Sequence, residues 1–99
     1  MSTIFPKVLQ AVASDDFTVF AYMNDGTIRC LDAKPYIARG GVFAPLGNAD
    51  TFTRALTVLN DTVAWDLSGN HDAGDCIDID PFTVQAAPVA ADPLVDKAV

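Results

Sequence analysis

The stretch Ser68 to Pro81, SGNHDAGDCIDIDP, gathers the residue types from which sites are built: the single histidine His71, one of two cysteines, Cys76, and four aspartates. With Asp66 just upstream, the carboxylates Asp72, Asp75 and Asp78 offer oxygen ligands for calcium or magnesium. Asp66, Ser68, Asn70 and Asp72 even occupy the first, third, fifth and seventh positions of a calcium loop. The pattern then fails, because the sixth position is His71 where glycine is needed and the twelfth is Ile77 where glutamate is needed. Zinc held by His71 and Cys76 would want two more soft ligands, and Cys30 is the only other thiol. As a general acid or base, His71 has no serine or cysteine nucleophile at a recognisable spacing.

The string Gly69-Asn70-His71-Asp72 also matches a tetrapeptide of two-metal phosphoesterases. Such a centre draws several histidines and aspartates from different loops, and one histidine cannot assemble it within the chain. Two readings of the stretch follow. In the simpler one it is a solvated loop whose aspartates cap turns. In the alternative it serves a metal-binding or metal-dependent hydrolytic protein centred on Asp66, His71, Asp72 and Asp75. The simpler reading assigns no catalytic residue, no enzymatic activity and no cofactor.

The elements around this loop read mainly as strands. Lys7 to Ala13 forms a first strand after Pro6, and Ser14-Asp15-Asp16 a turn. Phe17 to Met23 and Thr27 to Leu31 then make a hairpin on Asp25-Gly26. With those two as the central turn residues, Met23 faces Ile28, Ala21 faces Cys30 and Val19 faces Asp32. The other face then carries Phe20, Tyr22, Arg29 and Leu31. Both faces are substantially apolar, which implies a sheet covered on both sides or one face kept for a partner.

Ala33 to Arg39 reads as a short helix, with Pro35 at its first position and Gly40 beyond its end. Asn48 caps a single helical turn that places Phe52 beneath the sheet. A second hairpin runs Ala55–Leu59 and Thr62–Asp66 about Asn60-Asp61, putting Leu56, Val58, Val63 and Trp65 on one buried face. Trp65 is also a candidate for the edge of a binding groove, since tryptophan is favoured at interface hot spots. The pattern returns at Ile77 and Ile79, and Asp80-Pro81 opens a helical turn over Phe82–Gln85. The expected organisation is one α+β domain over residues 1–85, mainly antiparallel sheet from two hairpins with one or two short helices, followed by a flexible Ala/Pro-rich tail, 86–99.

A chain of 99 residues with 51% hydrophobic content supports one core. All thirteen acids are aspartate, against six scattered Lys and Arg, for a net charge of -7. Direct nucleic-acid binding, which needs clustered cations, is therefore not expected. No apolar run approaches the ~20 residues of a membrane helix, and a basic-then-apolar signal pattern is absent from the start, so a cytoplasmic protein with no membrane association is expected.

Taken in order, Pro6 and Val8, Asp25-Gly26, Asp32 with Tyr36, Phe43, Leu46, Phe52, Trp65 and Asp78-Ile79-Asp80-Pro81 resemble the landmarks of the bacterial domain of unknown function 2442 family, over about residues 6–84. The resemblance implies a small α+β domain with no established enzymatic activity. It also implies, from some members, the acidic, antitoxin-like partner in a two-gene unit. The chain departs from members that carry a helix-turn-helix after the domain, since the Pro-rich residues that follow do not form one. Residues and resemblance together point to a protein-binding module. The expected partner is a protein, either a small basic one encoded beside it or a second copy in a homodimer, and the binding residues are Phe20, Tyr22, Arg29, Leu31 and Trp65.

Overall fold

A computed structural model describes residues 5–69 and 76–93. Strands β1 (Val8–Ala13), β2 (Thr18–Met23) and β3 (Ile28–Asp32) form an antiparallel sheet in that order. Asn24-Asp25-Gly26-Thr27 connects β2 to β3, and Met23 and Thr27 close it as a pair around a three-residue loop, Asn24-Asp25-Gly26. Gly26 N donates to Met23 O (3.1 Å), Met23 N donates to Thr27 O (2.9 Å), and Gly26 adopts φ +88°. This is the three-residue hairpin loop that ends in a left-handed glycine. The Asp25 carboxylate clamps it by accepting from Thr27 N (2.9 Å) and Thr27 Oγ1 (2.6 Å).

The extra loop residue corrects the register expected from a two-residue turn. Phe20 lies opposite Cys30, Tyr22 opposite Ile28, Val19 opposite Leu31 and Ala21 opposite Arg29. Because side chains alternate across a strand, a slip of one residue moves the whole of β3 to the other face. Leu31 therefore joins Val19, Ala21 and Met23 in the core, and Ile28 and Cys30 take the outer face beside Phe20 and Tyr22.

Helix α1 (Lys34–Arg39) starts with Pro35 in its first turn, and Gly40 stops it at φ +77°, donating its N–H to Ile37 O. A 3-10 helix, Gly41–Gly47, buries Leu46 and leads into α2 (Ala49–Ala55), which is longer than the single turn expected. Asn48 caps α2 by accepting from Thr51 N (3.1 Å), and Asp50 pairs with Arg54 one turn on (2.7 Å). Phe52, on the inner side of α2, is 1% exposed.

The second sheet is β4 (Leu56–Leu59), β5 (Thr62–Trp65) and β6 (Ile77–Asp78). Asn60 and Asp61 both take positive φ (53° and 64°), as a two-residue turn that matches strand twist requires. Leu56 opposes Trp65 and Val58 opposes Val63, the pairing the sequence implies. β5 is buried along its whole length. Ile79 extends the pairing beyond β6 by donating to Val63 O (3.1 Å), and Thr62 Oγ1 donates to Ile79 O. Asp80 then caps α3 (Pro81–Gln85) by accepting from Phe82 N (2.7 Å).

The architecture is thus α+β, two antiparallel sheets with short helices. Val8 N donates to Asp61 O (2.8 Å), which joins the sheets at the β4–β5 turn. Phe17 meets Phe52 edge-to-face and Phe52 packs tilted against Trp65, with ring centroids 5.3 and 5.4 Å apart, and Trp65 Nε1 donates to Phe52 O. Among the described residues no helix is long and apolar enough to cross a membrane.

Composition alone makes residues 86–99 a loose tail, yet Pro88 to Asp92 lie along β3. Cys30 N donates to Pro88 O and Ala90 N to Ile28 O, both at 2.8 Å. The reason is non-local: β3 is an edge strand, and its outward N–H and C=O groups accept any extended segment that reaches them.

Candidate functional site

Backbone alternation makes the outer face of the first sheet. Val12 of β1 is registered with Phe20, Gln10 with Tyr22, Phe20 with Cys30 and Tyr22 with Ile28, so these residues share one side. Val12, Phe20, Tyr22, Ile28 and Cys30 are half-buried by their neighbours within the sheet and stand outside the core cluster. Such a strip of contiguous apolar side chains is what a docking surface offers.

Carboxylates border the strip. Asp32, opposite Thr18, lies on the same face, Asp25 sits at the β2–β3 turn, and Asp92 accepts a hydrogen bond from the Tyr22 hydroxyl. Two of them are held as anions. The Asp25 carboxyl is held below its ordinary 3.8 by the two Thr27 hydrogen bonds, side chain first. Asp32 is likewise lowered, first by the backbone N–H of Lys34 and then by its ammonium group. Lys34 is raised in return by hydrogen bonds to Asp32 and Asp16. The one basic side chain registered within these strands, Arg29, opposes Ala21 on the core side, and its Nη1 donates to Ala87 O (3.0 Å).

Of the five expected binding residues, the structure brings Phe20 and Tyr22 together on the outer face. Arg29 and Leu31 are on the opposite face, with Leu31 only 5% exposed. Trp65 is fully buried in the second sheet, at 0% exposure, which removes it from any surface groove. Val12, Ile28 and Cys30 take their places. The signal for them was the string Asn24-Asp25-Gly26-Thr27, in which an Asp two residues before a Thr favours a side-chain-clamped, longer loop.

Of the alternative metal ligands, Asp66 is buried, and its carboxylate accepts from Gly69 N (3.1 Å) and Ser68 Oγ (3.2 Å), closing the turn after β5. His71, Asp72 and Asp75 lie outside the described residues. No group of three metal-binding side chains occurs among the described residues. Cys76, Ile77 and Asp78 line a cleft of about 440 Å³ with Val42, Phe43 and Leu67. At the β3 edge a wider groove of about 530 Å³ runs between α1 and α3, bounded by Cys30, Asp32, Tyr36, Arg39 and Pro88, with the Arg39 guanidinium 5.5 Å above the Tyr36 ring.

Comparison with protein-family models, curated proteins and solved structures finds no match to this chain.

Proposed function

We propose that this chain is a protein-binding module that docks a small basic protein on the outer face of β1, β2 and β3, as the acidic, antitoxin-like member of a two-gene unit. The observation that carries this reading is the strip Val12, Phe20, Tyr22, Ile28 and Cys30, apolar, outside the core and edged by Asp25, Asp32 and Asp92. Apolar contact supplies affinity, while the surrounding carboxylates select a cationic partner and speed encounter. The net charge of -7 acts in the same direction at long range. The resemblance of residues 6–84 to the domain of unknown function 2442 family supports the reading through its landmark residues alone.

The test is co-expression with the protein encoded by the adjacent gene, followed by co-purification and NMR mapping. Amide shifts should cluster on β1, β2 and β3, and Phe20→Asp should abolish capture without changing thermal stability by more than a few degrees. Capture unaffected by Phe20→Asp, or shifts confined to the second sheet, would remove this face from consideration.

A further inference from the structure

β3 ends its sheet, and an edge strand presents backbone groups that another segment can pair with. Here the segment is the chain's own. Pro88 O accepts from Cys30 N, Ala90 N donates to Ile28 O, and Val89 stands opposite Arg29 in an antiparallel bridge. Arg29 Nη1 holds Ala87 O, and the Tyr22 hydroxyl holds Asp92. Since Tyr22 belongs to the outer face, that last bond carries the segment from the edge onto the margin of the docking strip.

The attachment is shallow. Val89 is 64% exposed, Pro88 and Ala91 are exposed too, and no side chain from Pro88 to Asp92 belongs to the core cluster. Pro88 fixes φ at the start of the segment, and Pro93 keeps the preceding Asp92 out of the helical region. Two ladder hydrogen bonds and a few side-chain bonds, with only Ala90 and Asp92 half-buried, belong at the low end of the opening free energies within a fold.

We propose that Pro88–Asp92 is a strap that closes the β3 edge and the adjoining margin of the outer face, and that it opens as a unit ahead of the core to admit the partner. The strap rests on the docking reading for its purpose, yet its opening is measurable with no partner present. Release frees Cys30 N and Ile28 O. By strand alternation Asp32 turns its own N–H and C=O toward the same edge, beside the 530 Å³ groove. An extended segment of the partner can then add to β3 as a further strand.

Amide hydrogen exchange on the full chain tests the strap. The Ala90 and Cys30 amides should exchange at least about tenfold faster than those of Val8 and Ile79, which are bonded to Asp61 O and Val63 O. Ala90→Pro, which removes the N–H given to Ile28, should speed exchange at Cys30 by about tenfold and leave Val8 and Ile79 unchanged. Conversely, Arg29→Cys with Val89→Cys, in a Cys30→Ser and Cys76→Ser background, joins a non-hydrogen-bonded pair, the closer of the two antiparallel types and suited to a disulfide. Oxidation should slow exchange at positions 30 and 90 about tenfold, and reduction should reverse it. Equal protection at Ala90, Cys30, Val8 and Ile79 in the unmodified chain overturns the strap, since the segment then opens only with the whole fold. A strap that opens as expected, with partner capture insensitive to Phe20→Asp, sinks the docking reading alone.

Discussion

The β2–β3 and β4–β5 hairpins both turn on an Asn-Asp pair, and they differ by one loop residue. Asn60 and Asp61 both take positive φ and close a two-residue turn, so Leu56, Val58, Val63 and Trp65 meet on the buried side. Asn24 and Asp25 have no positive φ, and Gly26 takes it as the third loop residue. That single residue decides that Leu31 is core and that Ile28 and Cys30 join the outer strip. The two hairpins have correspondingly different jobs. β5 is buried throughout and ties the core together, whereas β2 alternates between core and a half-buried face available for contact.

The widest separation between the hairpins should appear on removing an aromatic ring from each. Trp65→Ala deletes a fully buried indole that packs on Phe52 and donates to its carbonyl, and should cost about 3–5 kcal/mol. Phe20→Ala removes a ring outside the core cluster and should cost about 1 kcal/mol or less. Urea unfolding of both variants checks this, and equal losses would mean that the outer face is core after all.

The turns themselves should respond with opposite signs. Gly26 has open space around its missing Cβ, so Gly26→Ala meets only the left-handed backbone penalty and should destabilise by about 1 kcal/mol. Asp61→Gly supplies the residue preferred at the second position of a two-residue turn and should stabilise by about 0.5 kcal/mol. A loss from Asp61→Gly would show that the Asp61 carbonyl bond to Val8 N, or the side chain itself, matters more than turn strain.

Much of the fold is legible because it is written locally. Pro35 and Gly40 bound a helix, Asn48 and Asp80 cap two more, and Asn60-Asp61 sets a register by its own backbone preferences. The candidate site was harder to read. Its membership turns on whether a loop has two residues or three, and Asn24 settles that through partners far along the chain, accepting from Lys7 N and donating to Phe5 O at 3.0 Å each. The strap is invisible for the same reason. Nothing in Pro88-Val89-Ala90-Ala91-Asp92 encodes a strand, and only the edge of β3 draws it into an antiparallel bridge.

The smallest effect expected is one of pH at the β2–β3 turn, where Asp25 differs from its counterpart Asp61 in having a clamped carboxylate. Its hydrogen bonds from Thr27 Oγ1 and N favour the charged form, so the folded-state value lies below 3.8. A depressed folded value means stability that is fully present above the unfolded value and is lost as pH falls through the folded one. The exposure of Asp25 to solvent keeps that contribution small. Carboxyl-carbon NMR titration should place the Asp25 midpoint below 3.8, and Thr27→Val, which removes the hydroxyl donor but keeps the backbone N–H, should bring it part of the way back. A midpoint unchanged by Thr27→Val would show that the hydroxyl does not clamp the loop. The three-residue loop would then rest on Gly26, the Asn24 ties and the Thr27 N–H given to Asp25.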